Sequence, residues 1–277
     1  MNRGLFAFCC LASLSALSVA QKSSDWVPSK SKATDVAARA DKAILGLKDT
    51  YGEAIFSCDF KPGKGQVTLY NRIRDRKNFR VELARVMDNV QDPLATQSFV
   101  GYNGKYAFFS RETSYRQIPA GKDASLLVTQ KGLVQAWPRQ FSQLMFTTLI
   151  TGKGAFTDYV KALLSAASEF QVRVDSRIMQ GNGRTFKQSR IFATRAPAAA
   201  KKLGAITLEL VFDDLRGVPL QIRSTETNLK GVRSSFQWTC WWKGPMKFKD
   251  DFFKVPAGAK LTQAGPTPGT QRRPASS

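Results

Sequence analysis

The sequence contains no histidine, and its 277 residues carry only 21 acidic side chains against 42 lysines and arginines. Without imidazole, the commonest general base near neutral pH and the commonest nitrogen ligand for metals are both missing, which excludes histidine-based triads and His-ligated metal sites. Cysteine is nearly as scarce. Of the four, Cys9 and Cys10 lie in a leading apolar run, which leaves Cys58 and Cys240 in the rest of the chain. Two thiols cannot build a structural zinc site. There is no G-x-S-x-G elbow, P-loop or G-x-G-x-x-G. Gly63-Lys64-Gly65, Gly152-Lys153-Gly154 and Gly181-Asn182-Gly183 lack the residues that a phosphate cradle needs after them, and read as turns. Asp213-Asp214 is explained by a hairpin turn better than by an acid–base pair, because adjacent residues point apart. The expectation is a protein without cofactor, metal or enzymatic chemistry.

What is present is core material and positive charge. Hydrophobic residues make up 43% of the chain and aromatics 11%, with 19 phenylalanines, and the formal net charge is +21. Arg3 precedes the apolar run Leu5 to Leu17, and Ser18-Val19-Ala20 supplies small residues at the −3 and −1 positions of a signal-peptidase site. Ser13 and Ser15 interrupt the run and Gln21 ends it, so it is too short to anchor in a bilayer. Lipidation at Cys9 or Cys10 is disfavoured by the bulk of Phe8 and Cys9 just ahead of them. Cleavage between Ala20 and Gln21 predicts a periplasmic or secreted protein of 257 residues that is still strongly basic. In an oxidising compartment Cys58 and Cys240 can be bridged or can be two buried thiols, and the sequence leaves both open. Export argues against nucleic acid as the partner of the basic clusters, Arg72, Arg74, Arg76, Lys77 and Arg80, and then Arg173, Arg177, Arg184, Lys187, Arg190, Arg195, Lys201 and Lys202. An anionic membrane surface or an acidic partner suits them better, and a merely soluble basic surface remains the plain alternative.

Periodicity orders the rest. After a polar linker, residues 21–33, Ala37, Ala40, Ile44, Leu47 and Tyr51 recur at helical spacing. The period then falls to two around Phe56, Cys58 and Phe60, around Val67, Leu69 and Ile73, around Phe79, Val81 and Leu83, and across the Asn103-Gly104 turn. At least five strands are predicted before residue 120. Ala124–Trp137, Arg139–Ile150 and Thr157–Phe170 read as two or three helices. Strands resume at Val172, and Ile206, Leu208, Leu210 and Phe212 alternate clearly. Phe236, Trp238, Cys240 and Trp242 fall on one strand face, with Trp241 on the other. Residues 263–277, rich in Pro, Gly, Ser and Thr, are predicted to be disordered.

Three stretches are similar to the LolA/LolB-like family of lipoprotein carriers. They are Phe99 to Phe109 with Glu112 to Ile118, Ile206 to Gly217 with Val218-Pro219-Leu220 and Asn228 to Phe236, and Asp251 to Ala259 with its F-x-x-P-x-G pattern. The resemblance covers roughly residues 34–262. It implies an α+β domain: an incomplete antiparallel β-barrel, a curved sheet covered by an N-terminal helix and a central helical insertion, holding acyl chains of a lipid or lipidated protein. On this reading Phe79 stands at the cavity mouth near Arg76, and Leu69, Phe108, Trp238 and Trp242 line the cavity. The family's Arg-Pro ahead of that Phe has no counterpart in Arg74-Asp75-Arg76-Lys77-Asn78. Solid core is the plainer reading of the aromatic series. The alternative function is a sensor domain of similar fold that binds a protein partner, like the sigma-E regulatory proteins.

Overall fold

The computed structural model describes residues 22–23, 25–60, 63–87, 98–103, 106–111, 114–119, 144–145, 148–149, 151–181, 184–254 and 261–263. The signal segment, the first predicted insertion helix, most of the second and nearly all of the tail lie outside the described residues. Helix α1 spans Ala33–Leu45. Its residues Ala33, Val36, Ala37, Ala40 and Ile44 repeat every three or four positions and are all buried. Asp35 in the first turn and Lys42 in the last suit the helix dipole, and the Gly46 N–H closes the helix on the carbonyls of Lys42 and Ala43. The helix therefore stops short of its expected end. Leu47 stays buried, but Asp49 takes a left-handed φ of 44°, and Tyr51 already belongs to the first long strand. Helix α2, Ala155–Ser165, buries Phe156, Val160 and Leu163. A short α3, Pro197–Leu203, opens with proline at its first position, where the missing N–H costs nothing.

The strands are β1 (Lys22–Ser23), β2 (Val27–Pro28), β3 (Thr50–Phe60), β4 (Gly63–Asp75), β5 (Asn78–Met87), β6 (Ser98–Asn103), β7 (Tyr106–Arg111), β8 (Ser114–Pro119), β9 (Phe170–Gly181), β10 (Arg184–Arg195), β11 (Ala205–Asp213), β12 (Pro219–Thr227), β13 (Arg233–Lys243) and β14 (Leu261–Gln263). They form one 14-stranded sheet in the order β1-β9-β10-β11-β12-β13-β3-β4-β5-β6-β7-β8-β14, with β2 also on β9. Every pairing is antiparallel except β14 on β8, and the two ends of the order do not pair, so the barrel is unclosed. The expected linker is in part sheet: Val27 and Pro28 pair with Ser176 and Asp175 of β9. The expected closing strand is not one at its start, because Asp250–Phe253 forms a single 3₁₀ turn.

Both helices lie on one face of the sheet, called here the inner face. A single cross-strand row shows how it is built: Val174 faces Ile191, Ile191 faces Leu210, Leu210 faces Ile222, and Ile222 faces Trp238. All five side chains are buried beneath the helices. One buried carboxylate joins the helices. Asp41 of α1 accepts hydrogen bonds from the backbone N–H groups of Phe156 and Thr157, at 3.0 and 2.9 Å, and from the hydroxyls of Thr148 and Thr157. It caps α2 from outside, where the helix dipole favours negative charge. A Cβ on Gly154 would stand 2.7 Å from this carboxylate, so only glycine lets the clamp close.

The outer face carries a different chemistry. Asp175, almost fully buried, binds Arg190 at 2.5 Å and Arg173 at 3.2 Å, and Arg190 reaches Glu209 at 3.4 Å. The Trp26 ring lies on Arg177 and Arg190, and Phe192 lies beneath Arg173 and Arg190. Burial, and then the Arg190 charge beside it, pulls the Arg177 guanidinium below its usual range. Further along, Arg72 and Arg80 stack on Phe252, and Arg74 stacks on Phe253 while donating to Asp250 and to the Phe248 carbonyl.

Candidate functional site

Of the residues expected to line an acyl cavity, Phe79, Trp238 and Trp242 are buried side chains. Phe79 is fully buried next to Ile73, and Trp238 is buried in the same cluster. Trp242 lies over Gly52, where an added Cβ would stand 2.9 Å from its ring, and its indole N–H donates to the Pro219 carbonyl at 2.7 Å. These three are packed core. Phe79, expected at a partly solvated mouth, is instead fully buried, and Ile73, Leu149 and Met145 belong to the same cluster. Trp241 does project to the opposite face, 45% exposed.

Strand register sorts the rest. Leu69 pairs with Ala54, which pairs with Cys240. Phe108 faces Gly101 and Gln117, and Gly101 faces Arg80, whereas Phe79 faces Tyr102 and, through it, Ala107. Arg76 donates from Nε to the Leu149 carbonyl at 3.1 Å, and its guanidinium fills the space that a Cβ on Gly152 (φ 68°) would need. It caps the helical residues before α2. Cys58 faces Phe236, and Cys240 faces Ala54, four positions away along the same strand pair. At about 3.3 Å per residue their Cα atoms are about 13 Å apart, roughly twice the reach of a disulfide. Cys240 is a buried thiol.

A cavity of about 480 Å³ opens elsewhere, at the edge of β9 beneath the two helices. Its position follows from the path of the chain. β2 pairs with β9 only at Asp175 and Ser176, and after Ser29, whose N–H donates to the Val174 carbonyl, the backbone leaves the sheet and climbs to the start of α1. The gap left below is lined by Val172 and Val174 of β9, Leu164 of α2, Ala33 and Thr34 of α1, and Pro28 of β2. Lys32 and Arg173 stand at its rim. Lys32 is also the N-cap residue of α1 and supplies no side-chain cap, so the first N–H groups of a 13-residue helix face this opening with their positive end. Arg173 is held on Phe192 and Asp175 with its side chain more than half exposed. By strand alternation Val172 turns its backbone N–H and C=O to the same side as Val174, toward the groove. On α2, burial pushes the Tyr159 phenol up to about 12, so it stays neutral near physiological pH.

Sequence reasoning found Val172 and Val174 as alternating strand residues and Arg173 as part of a basic cluster, but not as one site. The groove exists because the chain departs at Ser29, and no local pattern marks that departure. Among the described residues no group of three or more Cys, Asp or Glu could hold a metal ion, and no helix is long and apolar enough to cross a membrane.

No protein-family profile matches the chain, and no curated protein does. Solved structures similar to it include a chain of the Pseudomonas aeruginosa MucA/MucB complex, with 16% identity and a TM-score of 0.38 over 84% of this chain. The match spans 64% of that chain's length. A LolA superfamily protein from Nitrosomonas europaea is 8% identical with a TM-score of 0.35, covering 81% of this chain and 98% of its own. A putative outer membrane lipoprotein-sorting protein domain from Vibrio parahaemolyticus has 8% identity and a TM-score of 0.35, covering 80% and 96%. The unclosed antiparallel sheet with helices over one face is the architecture that the LolA/LolB resemblance implied from the sequence.

Proposed function

We propose that the protein is an exported, non-enzymatic carrier that takes the acyl chain of a lipid or lipidated protein in the groove at the edge of β9. The observation that carries this reading is the division of the groove. Val172, Val174, Leu164 and Ala33 form an apolar floor, and Lys32, Arg173 and the N-terminus of α1 form a cationic rim. An acyl chain with an anionic head matches both parts at once: the chain gains from leaving water, and the head meets positive charge and N–H donors. The sites first expected inside the sheet, Phe79, Trp238 and Trp242, support the fold beneath this groove. Cleavage at Ala20/Gln21 and work in the envelope belong to the same proposal.

A second reading rests on the Val172 backbone. An edge strand with unpaired groups beside an apolar groove can receive an extended peptide, which suits a sensor that binds a protein partner. Titration with a fluorescent fatty-acyl probe separates the two. Wild type takes up the probe, and Leu164→Asp, at a side chain already 42% exposed, weakens uptake about tenfold with an unchanged melting temperature. A wild-type protein that takes up no probe ends the acyl reading and puts the peptide reading first.

A further inference from the structure

Three large aliphatic side chains stand in water at one end of the molecule. Leu203, the last residue of α3, is 57% exposed, and Leu229 and Val232 in the β12–β13 turn are 66% and 56% exposed. The two turns touch: a Cβ on Gly204, which takes a left-handed φ of 85°, would stand 2.4 Å from the Thr227 carbonyl oxygen. Both are held rigidly. Arg195 donates to the carbonyls of Leu203 and Gly204 at 2.9 and 2.8 Å, closing α3. The Asn228 side chain accepts from the N–H groups of Lys230 and Val232, and its backbone N–H donates to the Val232 carbonyl. Apolar residues on a tied turn are displayed rather than left over by a floppy loop. Around them stand Lys201, Lys202, Lys230 and Arg233, all exposed, against the negative charges of Glu226 and of Glu169, whose carbonyl accepts from the Ala196 N–H ahead of α3.

We infer that this end docks on the surface of an anionic lipid bilayer, with Leu203, Leu229 and Val232 entering the interface and the four cations meeting lipid phosphates. Charge complementarity names the occupant. A protein partner would need a surface that is both acidic and apolar at matching points. An anionic bilayer offers phosphates above hydrocarbon everywhere, and three isolated aliphatic tips with a basic rim suit that layering. The site is separate from the β9 groove and does not depend on what the groove holds.

Co-sedimentation of the purified protein with vesicles tests it, using phosphatidylcholine alone and phosphatidylcholine with about 30% phosphatidylglycerol. Since a near-surface lysine is worth about fivefold in affinity, Lys201→Ser with Lys202→Ser is expected to lower binding to the anionic vesicles about 25-fold. Leu229→Ser with Val232→Ser is expected to lower it about tenfold at constant charge. Because the whole protein is basic, Lys247→Ser with Lys249→Ser, exposed residues outside the two turns, is the charge-matched control and should lose less than twofold. Melting temperatures should stay at the wild-type value, and Leu229→Ser alone replaces the double change if they do not. Absence of wild-type binding overturns the inference. So does equal loss in the control, which means undirected attraction by net charge, and so does full binding by the apolar variants.

Discussion

On the inner face of the sheet, Val36, Ala40, Ile44, Phe156 and Val160 press onto Val174, Ile191, Leu210 and Trp238, and the buried carboxylate of Asp41 is spent on holding the helices together. On the outer face the covering comes from the two ends of the described chain, Trp26 near the start and Phe252 and Phe253 near the finish, laid on arginines of β9, β10, β4 and β5. The inner cover is aliphatic and dry, and its energy scales with the area removed from water. The outer cover is held by ring–guanidinium contacts, worth about 0.5–2 kcal/mol each depending on desolvation. The comparison teaches where a basic protein can place its charge: arginine is kept on the sheet by giving it aromatic faces to lie on, so much of the basic cluster first assigned to a membrane surface is structural.

The sharpest test of the difference is Phe79→Glu. A carboxylate in the closed inner cluster has no partner, so a loss of several kcal/mol and a collapsed melting transition are expected in thermal denaturation. A nearly unchanged transition would mean that the inner face is open at Phe79, and the contrast between the faces would fail. Next in size is Asp41→Ala, which removes three hydrogen bonds from α2 and one from Thr148 to a charged acceptor. Chemical denaturation should show about 2–3 kcal/mol of destabilisation with an unchanged m-value. Smallest is Trp26→Ala on the outer face, expected to cost about 1 kcal/mol and to act locally. Hydrogen exchange should speed up at the Ser29 amide, which donates to Val174, and stay unchanged at Leu210. Equal acceleration at both would show that the outer cover is as cooperative as the inner core.

The alternation in β11 and β13 was legible because one face of each is buried: Leu208, Leu210 and Phe212, and then Trp238, Cys240 and Trp242, are all core. The end of α1 was not, because Leu47 and Tyr51 keep the helical spacing of apolar residues although Gly46 has already stopped the helix. A buried residue after a helix end looks the same in sequence as one inside it. The rows of arginines misled for a different reason. Their partners lie far away in sequence, Trp26 for Arg177 and Phe252 for Arg80, so nothing near an arginine announces that it is occupied. The groove at β9 fell between these cases, since its residues were read correctly as strand and helix and only their juxtaposition was out of reach.

The pairing of β13 with β3 has a kinetic consequence. Strands β3–β8 and β9–β13 each follow one another as antiparallel neighbours, so each half can zip up from local hairpins. The seam between them sets Phe236 opposite Cys58, roughly 180 residues apart, and closing it carries the loop entropy of everything between. Such a contact forms last and slowly, and a chain that has not yet produced Arg233–Lys243 presents β3 as a bare edge of eleven residues, open to pairing with another chain.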